Sequence, residues 1–333
     1  MDFRLTEDQR ALRKGVRELL ARLFDREALR AAVDAPSPSL DRELWRELGA
    51  AGFFALRLPE EEGGVGLGLA EAVLLFEEAG RVLLPGPLVA THVAAGAVPG
   101  AAEGSTVVTE VDEGLVPWLD EADVVLGEAE GAVPLRSVDP LTPLHRVPGF
   151  VGAGSRSGTR PHGRRSVVPT LPQRGDPHAP AERMPTTGVV EDTAEVLPAT
   201  EVAVLLTAAE QVGSAGRTTE MAVSYARERE QFGQVIGGFQ AVKHLCAGML
   251  VRGELARAAV RGAAVTGDPV EIAGAKLLAD EAATANARDC LQVFGGMGFT
   301  WEADVHLHLK RAWVRARLRL PAARAEEVVA ANL

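Results

Sequence analysis

Over roughly the first hundred residues, apolar side chains recur every three to four positions, the spacing of helices that each bury one stripe. Leu12, Val16, Leu19, Leu20 and Leu23 follow it with arginine and glutamate between them, and Thr6 with Gln9 forms a capping box just ahead. A second amphipathic stretch covers residues 40–51 and stops at Gly52. A third covers about 69–82 and leaves through Pro85 and Pro87. Between them, Leu58-Pro59-Glu60-Glu61-Glu62-Gly63-Gly64-Val65-Gly66 must form an extended loop, because proline and clustered glycines break the helix. From about residue 104 to 148 the period shortens, with β-prone runs at 106–109, 123–126 and 132–135 separated by Gly, Asp and Glu. Beyond residue 197 the helical pattern returns, in one long helix over 199–227 and two more over 238–265 and 269–293. Their length, alanine content and short connections predict an antiparallel bundle. The expected organisation is an N-terminal helical domain (1–103), a reduced middle β domain (104–197) and a C-terminal helical bundle (198–333).

One stretch fits none of this. Residues 151–187 hold six Arg, six Pro and five Gly but only two acidic residues, with no alternation at either period. A flexible insert, a basic patch for the phosphates of coenzyme A, and a reading-frame error in the gene all stay open.

Composition narrows the function. A net charge of −11 argues against a nucleic-acid partner, since no basic surface large enough to displace phosphate counterions is apparent. Cys246 and Cys290 stand alone in apolar helical settings, with no CxxC and no paired histidines, so buried thiols are expected rather than a metal site. The N-terminus carries charge at once, and the longest uncharged run, 82–102, is interrupted by Pro85, Pro87 and Pro99. No signal peptide and no membrane span is expected, which makes the cytoplasm the default location.

Two segments carry candidate chemistry. In Tyr225-Ala226-Arg227-Glu228-Arg229-Glu230-Gln231-Phe232-Gly233-Gln234-Val235-Ile236-Gly237-Gly238-Phe239-Gln240, a long helix is expected to stop at Gly233 and restart after Gly238. Such a junction exposes backbone donors and lets an arginine fork reach an anion, with Phe232 and Phe239 offering flat faces to a ring. A charged helix-turn-helix corner explains the same residues. In Gln292-Val293-Phe294-Gly295-Gly296-Met297-Gly298-Phe299, closely spaced glycines permit close backbone approach to a ligand, and also suit a plain interhelical turn.

Taken together, these segments resemble the acyl-CoA dehydrogenase family. YAREREQFGQVIGGFQAVKH is similar to its Tyr-Ala…Arg-x-x-Phe-Gly…Phe-Gln-Ala segment, and QVFGGMGFTWE to its Gln-x-x-Gly-Gly-x-Gly-Phe segment. LPEEEGGVG looks like its Pro-Glu-Glu-x-Gly-Gly loop and EEAGRVLLPGPL like the stretch that follows, in the same order. The resemblance covers about residues 1–100 and 199–313. It implies a fold of mainly α structure with a small β domain: an N-terminal helical domain, a middle β domain and a C-terminal four-helix bundle. It further implies FAD held between subunits. On that pattern Arg229 binds the pyrophosphate beside Gln231 and Phe232, Phe239 and Gln240 lie along the adenosine end, and Gln292, Val293, Phe294, Gly295 and Gly296 reach in from a neighbouring subunit. The implied reaction is α,β-dehydrogenation of an acyl-CoA: a carboxylate takes the α-proton, the β-hydrogen leaves as hydride to the flavin, and an electron-transferring flavoprotein accepts the electrons.

The chain departs from the family where the base belongs. Counting on from Gly296, one usual position of the catalytic glutamate holds Arg319-Leu320-Pro321, and the alternative on the long helix falls at Ala203. Glu201 and Glu210 could serve only if that count slips. The absence is similar to that in short, base-lacking subunits of heteromeric actinobacterial members acting on steroid side-chain or other bulky acyl-CoAs, so a heteromer is expected beside the homo-dimer or tetramer. Two further readings stay open: a flavin monooxygenase or oxidase of the same fold, and a structural subunit that no longer binds flavin.

Overall fold

The computed structural model describes residues 4–150 and 197–333; the stretch 151–187 singled out above lies outside the described residues. Helix α1 (Glu7–Leu23) opens on the expected capping box, with the Thr6 side chain accepting from Gln9 N and the Gln9 side chain from Thr6 N, both at 3.1 Å. Asp25 and Asp41 cap α2 (Arg26–Asp34) and α3 (Arg42–Ala50) in the same way. Helix α4 (Leu69–Val82) has the bounds its apolar pattern predicts, and α5 (Leu88–Ala94) follows the proline exit. Trp45, Phe53, Phe54 and Phe76 are all fully buried and form the aromatic centre of this N-terminal part, with Trp45 and Phe54 centroids 4.7 Å apart.

Five three-residue strands come next: β1 (Val108–Glu110), β2 (Leu115–Pro117), β3 (Val124–Leu126), β4 (Val133–Leu135) and β5 (Leu144–Arg146). β1 pairs in parallel with β3, Val108 opposite Val124, and β5 runs antiparallel between β2 and β4, with His145 opposite both Val116 and Pro134. The expected runs contain β3 and β4 and overlap β1 at Val108 and Thr109; β2 and β5 lie outside them.

The C-terminal part is helical. α6 (Ala199–Glu228), a hairpin of β6 (Glu230–Gln231) and β7 (Gln234–Val235), α7 (Gln240–Thr266), α8 (Pro269–Phe294), α9 (Val305–Arg315) and α10 (Ala322–Ala330) follow in order. α6, α7, α8 and α9 pack on one another as the bundle. Helix α6 ends at Glu228, within one residue of the 227 its periodicity predicts and short of a stop at Gly233, because Arg229 turns to extended backbone and starts the hairpin. Among the described residues, no helix is long and apolar enough to cross a membrane.

Helices α4 and α6 cross at backbone contact. A Cβ on Gly80 would lie 2.0 Å from the Glu210 carbonyl oxygen, and one on Gly213 would lie 1.9 Å from that of Glu77. No other side chain fits at either position. The close approach brings Glu77 and Glu78, 1% and 2% exposed, under arginines from two directions. Glu77 accepts from Arg257 Nε at 2.7 Å and Arg261 Nη2 at 3.0 Å, both on α7. Glu78 accepts from Arg13 Nε at 2.7 Å and Arg17 Nε at 2.8 Å, both on α1. Burial pushes the Glu77 carboxyl up, but Arg257, Arg261 and Arg13 outweigh it and hold the pKa below its ordinary value.

Two outcomes follow. Gly213→Val forces the helices apart and should cost at least about 1–3 kcal/mol, read from the urea midpoint. Glu77→Gln leaves the part-buried Arg261 without its carboxylate and weakens the hold on Arg257, which keeps Glu254, and should cost about 3 kcal/mol at pH 7. Because the folded pKa of Glu77 is depressed, its contribution is present above the unfolded pKa of about 4.3 and is lost as pH falls through the folded value. That acid-side loss should be smaller in the Gln variant; equal acid sensitivity would count against this assignment.

Candidate functional site

The sequence-predicted residues gather at one end of the bundle. Arg229 closes α6, its N–H donating to Tyr225 O at 2.9 Å and its carbonyl accepting from Ile236 N at 2.7 Å. Its guanidinium is exposed and has no ion-pair partner among the described residues. The hairpin then turns on Phe232 and Gly233, with φ 53° and 79°. Two successive left-handed residues are what the twist of a two-residue hairpin turn requires, and glycine accepts this more readily than phenylalanine. Phe232 is 93% exposed and meets Phe239 edge-on at 6.1 Å. Gln231 folds back to donate to the Glu230 carbonyl at 2.6 Å, and Gln240, exposed, opens α7.

The second segment ends α8 beside the first. Phe294 stacks on Tyr225 of α6, centroids 4.2 Å apart and planes 14° from parallel. Val293 points into a core shared with Ala222, Ala226, Met249 and Leu291, against which Ile236 packs. Gln292 is exposed, and the backbone continues into a 3-10 turn over Gly295–Phe299. Nothing lies within 4 Å of where a Cβ would stand on Gly295 or Gly296, so the chain presents bare backbone to open space. The two segments thus meet within a single chain through the Tyr225–Phe294 stack, which neither motif announces by itself.

Away from this end, the positions considered for the base lie between α6, α9 and the β region. Ala203 is buried on α6, and Glu201 is half-buried, accepting a hydrogen bond from the neighbouring Thr200 hydroxyl at 3.0 Å. Glu210 is buried and accepts from Arg315 Nη2 at 2.6 Å. Arg319, at φ 49°, reaches Glu110 through Nη2 at 2.5 Å and donates its backbone N–H to Asp112 at 2.5 Å. The cavity at this place measures about 50 Å³, and Thr207, Glu210, Arg311, Arg315 and Arg319 are among its walls.

Those walls are held by a buried polar network. Lys276, fully buried, donates to Asp280 and, at 3.3 Å, to the Arg315 carbonyl. Gln211 Nε2 donates to Asp280 at 2.9 Å and to the Ala312 carbonyl at 3.1 Å. Arg311 is paired with Asp139 and donates to the Leu84 and Leu141 carbonyls, both at 3.3 Å. Burial lowers the Arg315 pKa to about 10 despite Glu210 beside it, and burial also pulls Lys276 below its ordinary value against Asp280. Burial raises Asp112 against the pull of Arg319. Sequence inspection misses Arg311 and Arg315. Only their spacing of one helical turn marks them as sharing one face.

Known proteins agree with this architecture. The profile of the acyl-CoA dehydrogenase N-terminal domain matches residues 6–107, and that of the acyl-CoA dehydrogenase C-terminal domain matches 199–323. The acyl-CoA dehydrogenase IpdE2 of Mycobacterium tuberculosis is 36% identical over 337 residues, covering 94% of this chain and 93% of its own. Among solved structures, the ChsE4-ChsE5 complex from Mycobacterium tuberculosis superposes with a TM-score of 0.72 at 23% identity, covering 100% of this chain and 98% of that one. PigA with FAD and proline gives a TM-score of 0.73 at 18% identity, covering 100% and 99%. The helical, β and helical parts described above are the three domains of the acyl-CoA dehydrogenase fold, and the chain belongs to that family of oxidoreductases.

Proposed function

We propose that this chain is an FAD-holding subunit of an enzyme that α,β-dehydrogenates an acyl-CoA, and that it acts as the partner lacking the catalytic carboxylate. The observation that carries the reading is the state of the positions where the base would stand. Arg319 is tied to Glu110 and Asp112, Ala203 has no functional group, and Glu210 is committed to Arg315. A cation cannot accept the α-proton, and a carboxylate locked in a buried ion pair is poorly placed to do so. The cavity that Glu210, Arg315 and Arg319 line, about 50 Å³, is far below the roughly 300–1,000 Å³ of small-molecule pockets, whereas Pro321 lines a separate one of about 700 Å³. The likeness to a chain of the ChsE4-ChsE5 complex supports a heteromer, as does a glycine-lined turn that stands open on one side.

The opposite end of the bundle fits FAD. Arg229 offers an unpaired planar fork suited to a pyrophosphate, and Phe232 presents an uncovered ring. Gln231, Phe239 and Gln240 extend that surface, and Gln292, Phe294, Gly295 and Gly296 supply side-chain and backbone contacts from a neighbouring subunit. FAD, when bound, supplies the acceptor of two electrons, which an electron-transferring flavoprotein then removes. The task of these residues is to hold and orient the dinucleotide, while the acid–base step falls to the partner subunit. A cytoplasmic location goes with this reading.

The chain is expected to give no acyl-CoA oxidation with an artificial electron acceptor when purified alone, and turnover plus yellow colour when co-expressed with the product of the adjacent gene. Robust turnover by the isolated chain would sink the base-lacking assignment, whereas a colourless, inactive complex would favour a purely structural subunit. Arg229→Ala should weaken flavin retention by the complex by about tenfold or more, as expected for loss of a charge-assisted hydrogen bond. Its thermal midpoint without flavin should not move, because the side chain is exposed.

A further inference from the structure

A second cavity, of about 310 Å³, lies where α1, the α1–α2 turn, α4, α6 and the first turn of α9 fail to close on one another. The proposed function makes no use of it. Leu20, Phe24, Leu29, Val82 and Met221 give it apolar walls. At its polar end stands His308, 3% exposed, whose Nδ1 meets Ser214 Oγ at 2.8 Å. The other ring nitrogen, Nε2, has no hydrogen-bond partner among the described residues.

The charges around the mouth are unequal in their commitments. Three of the four guanidiniums lining it have close carboxylate partners: Arg17 with Glu78 at 2.7 Å, Arg26 with Asp304 at 2.7 Å and Arg81 with Glu220 at 2.6 Å. Among the described residues Arg217 has only Glu220, at 3.7 Å, and both oxygens of that carboxylate already accept from Arg81. The carboxylates in the wall are occupied as well, since Asp25 caps α2 and Glu78 and Asp304 hold their arginines. The site therefore has one cation to spare. The same surplus acts on His308: burial, then Arg217, Arg311, Arg315 and Arg81, lower its pKa to about 3, so the imidazole is neutral at working pH.

An apolar pocket with an uncommitted guanidinium and a free imidazole nitrogen at one end matches an amphiphile with a single anionic head. We propose that this cavity binds a medium-chain fatty carboxylate, with its head on Arg217 beside His308 and its tail along Leu20, Phe24 and Leu29. Its volume accommodates on the order of ten methylene-sized groups, taking each as roughly the 30 Å³ of a liquid water. The site involves neither the predicted flavin-binding segments nor the cavity at Arg319, so it stands apart from the function proposed above.

Isothermal titration of the purified full chain with sodium decanoate tests it. Saturable binding of one decanoate per chain is expected. Arg217→Ala should weaken decanoate about tenfold or more while leaving the uncharged 1-decanol unaffected. Ala21→Trp places an indole at the exposed mouth on α1 and should block both ligands without lowering the unfolding midpoint. Absence of saturation below about 1 mM would overturn the proposal, as would decanoate affinity unchanged by Ala21→Trp. Binding of decanoyl-CoA without binding of decanoate would overturn it too, since the thioester has no carboxylate to place on Arg217.

Discussion

The backbone contact between α4 and α6 sets the geometry of the rest. At Gly80 and Gly213 each helix presses on a main-chain carbonyl of the other, so their separation is fixed by hard-sphere contact rather than by deformable side chains. That crossing delivers Glu77 to the arginines of α7 and Glu78 to those of α1. One short helix thereby joins the N-terminal part to the bundle by both steric and ionic means. The far end of α6, carrying Tyr225 and Arg229, is held in place by the same seating. So are Glu210 and Gln211, which lie at the crossing itself.

Two ends of one bundle carry different chemistry. The end at Arg229 and the glycine turn is exposed, with a cation that has no carboxylate partner among the described residues and an uncovered phenylalanine, features that cost little when solvated and become useful against a ligand. The region near Arg319 is the reverse. Its cations are sunk in carboxylates and carbonyls, and the space left among them is small. A buried, mutually satisfied ion network rigidifies whatever it fills, and here it fixes α6, α8 and α9 against the β region.

Much of the architecture was legible because long helices repeat their signal many times. The bounds of α4 and most of α6, α7 and α8 follow from apolar spacing and glycine or proline punctuation. The three-residue strands carry too little repetition, and β2 even holds a proline. Beyond the end of α6, the glycine at 233 looks like a helix stop, whereas it is the second turn residue of a hairpin led by Phe232. At the candidate site, Arg229 and the glycine turn are visible as motifs. The stack that joins them pairs residues 225 and 294, and such a contact exists only once the bundle is assembled. Arg311 and Arg315 were hidden for a related reason: a basic residue reads as surface until the fold supplies Asp139 and Glu210.

The paired carboxylates of α4 also bear on how the molecule comes apart. Sliding α4 by one turn along α6 would strand two anions in an apolar interface and drive each glycine notch against a side chain. No intermediate seating is therefore cheap, and the amino-terminal helices have no stable way to loosen while the bundle stays whole. Heating or denaturant should melt both as a single cooperative block.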